Sequence, residues 1–348
     1  MSVEFNLLTS HVSVFDGDLI IVLYGRNKTG SIRATLAAQP YIIMSDIPSD
    51  LEEKLSRYCA SRRCEKFPKF NVEKAVFDRK PLDVTPLTGQ NIVRPCSRTF
   101  NKINLDIYTY WNLRRMLREP VPLIYQDHED TTNKWLRDEG THTVRMFQLS
   151  ADVFNDQVGL DLQFLIDHEI MYGDTVQVAN GVLSKVDGVN VGFLSLSYDL
   201  ECNLRTVNGK LVFPSSKCDP IITIGIALET GVVTEKHVFC LGETPPIDGT
   251  YVYWFATEHE MLTAFNDFVV RKDPDFILGH NVNRFDNVYY RDRCQLLGVP
   301  FTWSREDGYL CTVREVVTQS NQRGTQEVFR LDIPGRIVLD TYEKFRAD

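Results

Sequence analysis

Three carboxylates in two short stretches have types and spacing that could do chemistry. Asp199 and Glu201 lie in Tyr198-Asp199-Leu200-Glu201-Cys202, and Asp286 closes Gly279-His280-Asn281-Val282-Asn283-Arg284-Phe285-Asp286. Across residues 193–201 the residues alternate. Leu194, Leu196, Tyr198 and Leu200 fall on one side of a strand, with Ser195, Ser197, Asp199 and Glu201 on the other. Both acids of the first stretch therefore point the same way. Clustered carboxylates repel unless something neutralises them, and a divalent metal with oxygen ligands does so while activating water and steadying a leaving oxygen. The chemistry such a set would perform is metal-assisted hydrolysis of a phosphodiester. For an Asp-x-Glu pair alone, an exposed polar strand face is the competing reading.

The elements that must position these acids can be read from the surrounding pattern. Residues 193–201, 221–228 and 237–241 read as successive strands of a meander, with a Gly209-containing connection between the first two. Thr257 and Glu260 form a capping box for a helix whose Met261, Leu262, Phe265, Phe268 and Val269 recur at the helical period, and Pro274 follows its end. Residues 276–279 return as a short buried strand, and 281–285 form a loop. Asp286 opens a helix ending at Leu297, with Gly298 in the C-cap position. Three strands, a helix, a strand and a helix is the order of a ribonuclease-H-like fold, and the fold class expected is α/β.

The first half reads as a mixed α+β domain. Residues 11–24 and 41–44 are expected to be paired strands, separated by a polar turn at 25–30. The two glycines of Gly25-Arg26-Asn27-Lys28-Thr29-Gly30 have phosphate-loop spacing, but Ser31-Ile32 follows where Lys and then Ser or Thr are required, so a hairpin turn is expected. Ser49-Asp50-Leu51-Glu52 caps a helix carrying Leu51, Leu55, Tyr58 and Cys59 on one face, and a second amphipathic stretch contains Trp111, Arg114, Arg115 and Leu117. Residues 80–95 read as a loop and 126–140 as a charged excursion. The eight cysteines have no zinc-finger spacing and are read as free thiols.

The longer stretches around the acids resemble a known family. Residues 198–228 and 273–298 are similar to the first and second exonuclease motifs of family B DNA polymerases, including the Phe213-Pro214 and Asp219-Pro220 steps and the Asp273-Pro274-Asp275 and Leu297-Gly298 elements. Residues 257–262 resemble the helix before the second motif, and Gly335-Arg336-Ile337-Val338-Leu339-Asp340 resembles the family's Gly-Arg strand. Residues 161–167 resemble, with Gln163 where Arg is usual, the end of its N-terminal domain. The resemblance implies a ribonuclease-H-like 3′–5′ exonuclease domain over 187–348, incomplete at its C-terminal side, preceded by an α+β N-terminal domain over 1–186. It implies two Mg²⁺ or Mn²⁺ ions held by Asp199, Glu201 and Asp286, with Asn281 and Phe285 placing an unpaired 3′ end of DNA. His280 stands where the family often has Tyr. The partners it implies are single-stranded DNA ends, the remainder of a polymerase as further chain or second polypeptide, and a processivity factor.

None of the 14 tyrosines is followed four residues later by Asp, so the family's third exonuclease motif is missing, and no palm segment with its own aspartates is found. The chain is therefore expected to be the front part of a larger polymerase and to degrade DNA poorly alone. A non-catalytic nucleic-acid-binding module and a free-standing exonuclease are the alternatives. Divergence leans toward a viral or mobile-element source. No apolar run of about 18 residues and no basic leader is present, so a spanning helix and a secretory signal are not expected. The location expected is inside the cell: a nucleus, a viral replication compartment or otherwise the cytoplasm. Net charge is −9, but residues 51–120 hold 15 Lys or Arg against 8 Asp or Glu, whereas 152–200 hold 1 against 8. Such polarity suits a phosphate backbone on one side, with Arg57, Arg62, Arg63, Lys66, Arg114, Arg115 and Arg118 as candidate contacts.

Overall fold

The computed structural model describes residues 2–44, 47, 49–61, 70–79, 96–118, 159–188, 191–231, 233–320 and 324–346. The chain divides into two compact units, residues 1–11, 22–36 and 165–348 in one and residues 12–21 and 37–164 in the other. Residues from both sides of position 186 thus share the larger unit. Arg62, Arg63, Lys66, the 80–95 loop and the 126–140 excursion lie outside the described residues, as do the side chains of Cys59, Leu117 and Arg118.

Strands β1 (Ser2–Phe15), β2 (Asp18–Asn27) and β3 (Gly30–Ala38) are successive neighbours in one sheet. Residues 11–24 are therefore not one strand. Asp16 and Gly17 both adopt positive φ, 51° and 89°, and Asp-Gly is a two-residue hairpin turn set between apolar runs that mask it. The hairpin expected at 25–30 is present. Asn27 Oδ1 accepts from the Thr29 amide at 2.9 Å, closing the turn.

β4 (Tyr41–Met44) does not pair with 11–24; it joins a separate sheet, in the order β4-β6-β5, with β5 (Phe70–Arg79) and β6 (Cys96–Leu105). Beside it lie α1 (Leu51–Ser61), which buries Leu51, Leu55 and Tyr58, and α2 (Ile107–Arg118). In α2 the buried stripe is Ile107, Tyr110, Leu113 and Met116, whereas Trp111 is exposed. The i, i+3 repeat sets that face, and the bulk of Trp111 misdirects a reading made on its neighbours. Helix α3 (Leu160–Asp167) follows, then β7 (Thr175–Ala179) and β8 (Val182–Lys185), where Thr175–Ala179 pair antiparallel with Ser2–Asn6.

The rest of the larger unit is built on β9 (Ser195–Cys202). A small hairpin, β10 (Thr206–Val207) with β11 (Lys210–Leu211), leads to β12 (Ile221–Glu229), β13 (Thr234–Leu241) and β14 (Tyr251–Phe255). Helix α4 (Glu258–Lys272), β15 (Phe276–Gly279) and α5 (Asp286–Leu297) come next, then the hairpin β16 (Thr312–Ser320) and β17 (Gly324–Asp332), then β18 (Ile337–Asp340) and α6 (Thr341–Arg346). The sheet order is β14-β13-β12-β9-β15-β18. The meander β9-β12-β13 is antiparallel as expected, while β14, β15 and β18 run parallel to their neighbours.

Alternation along the meander decides what each face does. Leu196, Tyr198, Leu200, Ile224, Ile226, Leu228 and Phe239 are buried against Met261, Leu262, Phe265 and Phe268 of α4 and Tyr289 and Tyr290 of α5. Trp303, fully buried, meets the rings of Tyr198, Phe265 and Tyr290 at centroid distances of 5.5, 5.2 and 5.1 Å. Burial of this aromatic cluster fixes the register of β9, because a one-residue slip would exchange its two faces.

Candidate active site

With Tyr198 and Leu200 locked inward, Asp199 and Glu201 stand exposed on the opposite, open face of β9. Their cross-strand partners on β12 are Gly225 and Thr223. Asp286, the first residue of α5, is 3% exposed, and its Oδ1 accepts a 3.0 Å hydrogen bond from the Leu200 amide, the backbone group between the two acids. A second tie holds the same strand and helix together: Tyr198 Oη donates to Asn287 Oδ1 at 2.6 Å. Burial pushes the Asp286 carboxyl up to about 6; the negative charges of Asp199 and Asp340 add to the rise and the Leu200 amide opposes it.

The loop before α5 is shaped by two features. At Gly279 an added Cβ would stand 2.8 Å from Val282 Cβ and 3.1 Å from the Tyr198 carbonyl oxygen, so only glycine lets the chain turn back against β9. Asp340, 4% exposed at the end of β18, accepts from the amides of Asn281 at 2.8 Å and Asn283 at 3.0 Å. Asn281 takes a left-handed conformation, φ 61°, and its carbonyl accepts from Arg284 and Phe285. Phe285 is half-buried, touching Tyr289 at 5.3 Å and Phe213 at 5.6 Å between centroids. His280 is exposed, with Nδ1 3.2 Å from Thr341 Oγ1.

Two residues of this neighbourhood escaped the sequence reading of the site. Asp340 acts on the loop through a parallel strand pairing that no local pattern announces. Phe213, 79% exposed and set edge-on to Phe285, stands in the connection between β11 and β12; in the sequence it ends the apolar run Leu211-Val212-Phe213 and gives no sign of its partner.

All the acidic donors here are oxygens, the chemistry a hard divalent cation takes. Among the described residues, however, no three His, Cys, Asp or Glu side chains are grouped so as to hold a metal ion. Asp286 reaches the strand carrying Asp199 and Glu201 but spends Oδ1 on the Leu200 amide. The donor types fit a metal; the three side chains do not converge on one point.

A sheet of this order, with helices on one face and acids on the other, defines a ribonuclease-H-like exonuclease fold. Residues 151–348 match the model of the DNA polymerase family B exonuclease domain, and the chain belongs to DNA polymerase family B. A DNA polymerase delta catalytic subunit of Plasmodium falciparum is 36% identical over 159 residues, 44% of this chain and 14% of the relative. That of Schizosaccharomyces pombe is 33% identical over 190 residues, 53% of this chain and 17% of the relative. The chain thus spans under a fifth of the curated relatives it matches. The family B DNA polymerase of the hyperthermophilic archaeon Pyrobaculum calidifontis shares the fold, with a TM-score of 0.57 over 99% of this chain and 37% of that one, at 19% identity. Exonuclease domains of this family depend on divalent metal. These relatives are from cellular organisms, and the expectation of a viral source gains no support from them. No helix among the described residues is long and apolar enough to cross a membrane.

Proposed function

We propose that the chain carries the 3′–5′ proofreading site of a DNA-directed DNA polymerase acting in DNA replication, with residues 1–186 as its N-terminal domain and 187–348 as its exonuclease domain. The observation that carries this reading is the seat of Asp286. A buried acid from the second motif is hydrogen-bonded to the amide between the two acids of the first. Mg²⁺ or Mn²⁺, two ions per site, would be held by Asp199, Glu201 and Asp286. When bound, such ions supply activation of the attacking water and neutralise charge on the departing 3′ oxygen. Asn281 offers its amide group to the terminal nucleotide, and Phe285 with Phe213 offers an aromatic surface for an unpaired base. The partners proposed are a single-stranded 3′ end of DNA, the remainder of the polymerase and a processivity factor, and the location proposed is the nucleus.

A second reading, a nucleic-acid-binding module without catalysis, draws on the ungrouped carboxylates. The two separate by assay. A polypeptide extended into a Tyr-x-x-x-Asp segment should degrade 3′-labelled single-stranded DNA with Mn²⁺, and Asp199→Ala or Asp286→Ala should lower the rate by at least about a hundredfold. Cleavage that survives both substitutions would refute the site; binding without cleavage in the extended form would favour the module.

A further inference from the structure

We propose that Lys236 is a phosphate-binding residue of this groove, gripping the backbone of single-stranded nucleic acid one or two nucleotides from the bond placed at Asp199. The inference rests on the proposed function of the site and extends it to how the strand is held.

Register puts the lysine on the correct face. Asp199 pairs with Gly225 and Ser197 with Ala227 on β12, while Gly225 pairs with Val238 and Ala227 with Lys236 on β13. Directly paired residues share a face of a sheet, so Lys236 projects from the same open face as Asp199, two strands away. Two strand spacings across and two residues along amount to about 12 Å, the reach of one or two nucleotides beyond a scissile phosphate.

The floor between them is built to let a chain lie close. A groove of about 610 Å³ runs over Ser197, Asp199, Gly225, Ala227 and Lys236. Gly225 and Ala227, on the strand between the acid and the lysine, present only a hydrogen and a methyl group, with Ser197 and Val238 to either side, and a Cβ added at Gly225 would meet nothing within 4 Å. The lysine itself is exposed, and among the described residues its ammonium has no ion-pair or hydrogen-bond partner. Its neighbour Glu235 is taken by Lys272 at 2.7 Å and His237 at 3.1 Å, so it offers no neutralisation. An acidic site that must receive an anionic strand needs a fixed cation at a distance that does not compete for the metal carboxylates, and Lys236 supplies one.

The test uses residues 1–348 and fluorescently labelled oligodeoxynucleotides with Ca²⁺ in place of Mn²⁺. Lys236→Ala should weaken an octanucleotide about tenfold at low salt, leave a dinucleotide unchanged, and flatten the salt dependence of affinity by about 0.7 in log–log slope. Lys236→Arg should restore both. A neutral methylphosphonate at the second or third linkage from the 3′ end should cost the wild type the same factor and cost Lys236→Ala nothing further. Equal losses in both proteins, or an unchanged salt slope, would overturn the proposal. Loss of octanucleotide binding in Asp199→Ala with no effect at Lys236 would overturn it while leaving the site standing; no binding by the wild type would overturn both. Lys236 is a surface position, and matched melting curves of the variants exclude misfolding as the cause.

Discussion

Asp286 holds a carboxyl where burial works against its charge. Its pKa of about 6 in the fold compares with 3.8 as the ordinary value. Between those pH values the folded chain keeps a proton that the unfolded chain has released, so the acid's contribution favours folding below pH 4 and is lost as pH rises through 6. The loss amounts to about 3 kcal/mol. With metal removed by EDTA, Asp286→Asn should therefore be more stable than wild type at pH 7 and equal to it near pH 4, by urea denaturation across that range; parallel curves would show that the carboxyl is not strained by burial. Gly279→Ala should cost about 1–3 kcal/mol, because Val282 and the Tyr198 carbonyl cannot both withdraw. The shared strand face of Asp199 and Glu201 and the helix start at Asp286 were legible because their signals are local, whereas the close approach that demands glycine at 279 was not. Asp340 was visible only as the end of a strand, since its partners Asn281 and Asn283 are joined to it by folding and not by spacing.

Helix α4 shows what an element contributes. Thr257 Oγ1 accepts from the Glu260 amide at 3.2 Å, and Glu260 Oε2 accepts from the Thr257 amide at 3.0 Å, the reciprocal box its Thr-x-x-Glu spacing announces. Thr257→Ala should cost about 1 kcal/mol in a chemical melt. Glu258, next in line, joins three elements: it accepts from the Ile221 amide of β12 at 2.9 Å and from Arg293 of α5, in a pair buried on both sides. Arg293→Met should cost about 3–5 kcal/mol, because it leaves the Glu258 charge buried without its partner. Elements with a strong period or cap, α4, α5 and the meander, were readable in advance. Strand β14 was not: Tyr251, Tyr253 and Trp254 lie at a sheet edge where both faces are partly exposed, so no alternation marks them. The hairpin β16–β17 was hidden for a different reason: its sequence lacks a turn signal of the Asn-Gly kind.

At the scale of the larger unit, the N-terminal strands are part of what holds the nuclease sheet. Arg26 of β2 donates through Nε to Asp275 Oδ2 at 2.5 Å and through Nη2 to the Asp273 carbonyl at 2.6 Å. Asp275 is fully buried, also receives Arg305 at 2.8 Å and accepts from the Leu194 amide at 2.8 Å, while Arg336 meets Asp273 at 2.8 Å. This network seats the turn from α4 into β15 and the start of β9, hence both acidic motifs. Arg26→Ala should cost about 1–3 kcal/mol and lower the melting temperature of the whole unit, since the buried Asp275 would keep Arg305 as its one charged partner while Arg305 and Arg336 remain on Asp273. Nothing in the sequence linked residue 26 to residue 275, and chemistry of this range becomes visible only in the fold. Asp199, Glu201 and Asp286 meet at one strand–helix junction, and the proposal that a bound ion draws them into one metal-binding set is directly testable. Titration of residues 1–348 with Mn²⁺, followed by calorimetry or by the ion's paramagnetic signal, should show weak binding that Asp199→Ala and Asp286→Ala each abolish; equal affinity in the wild type and both variants would contradict it.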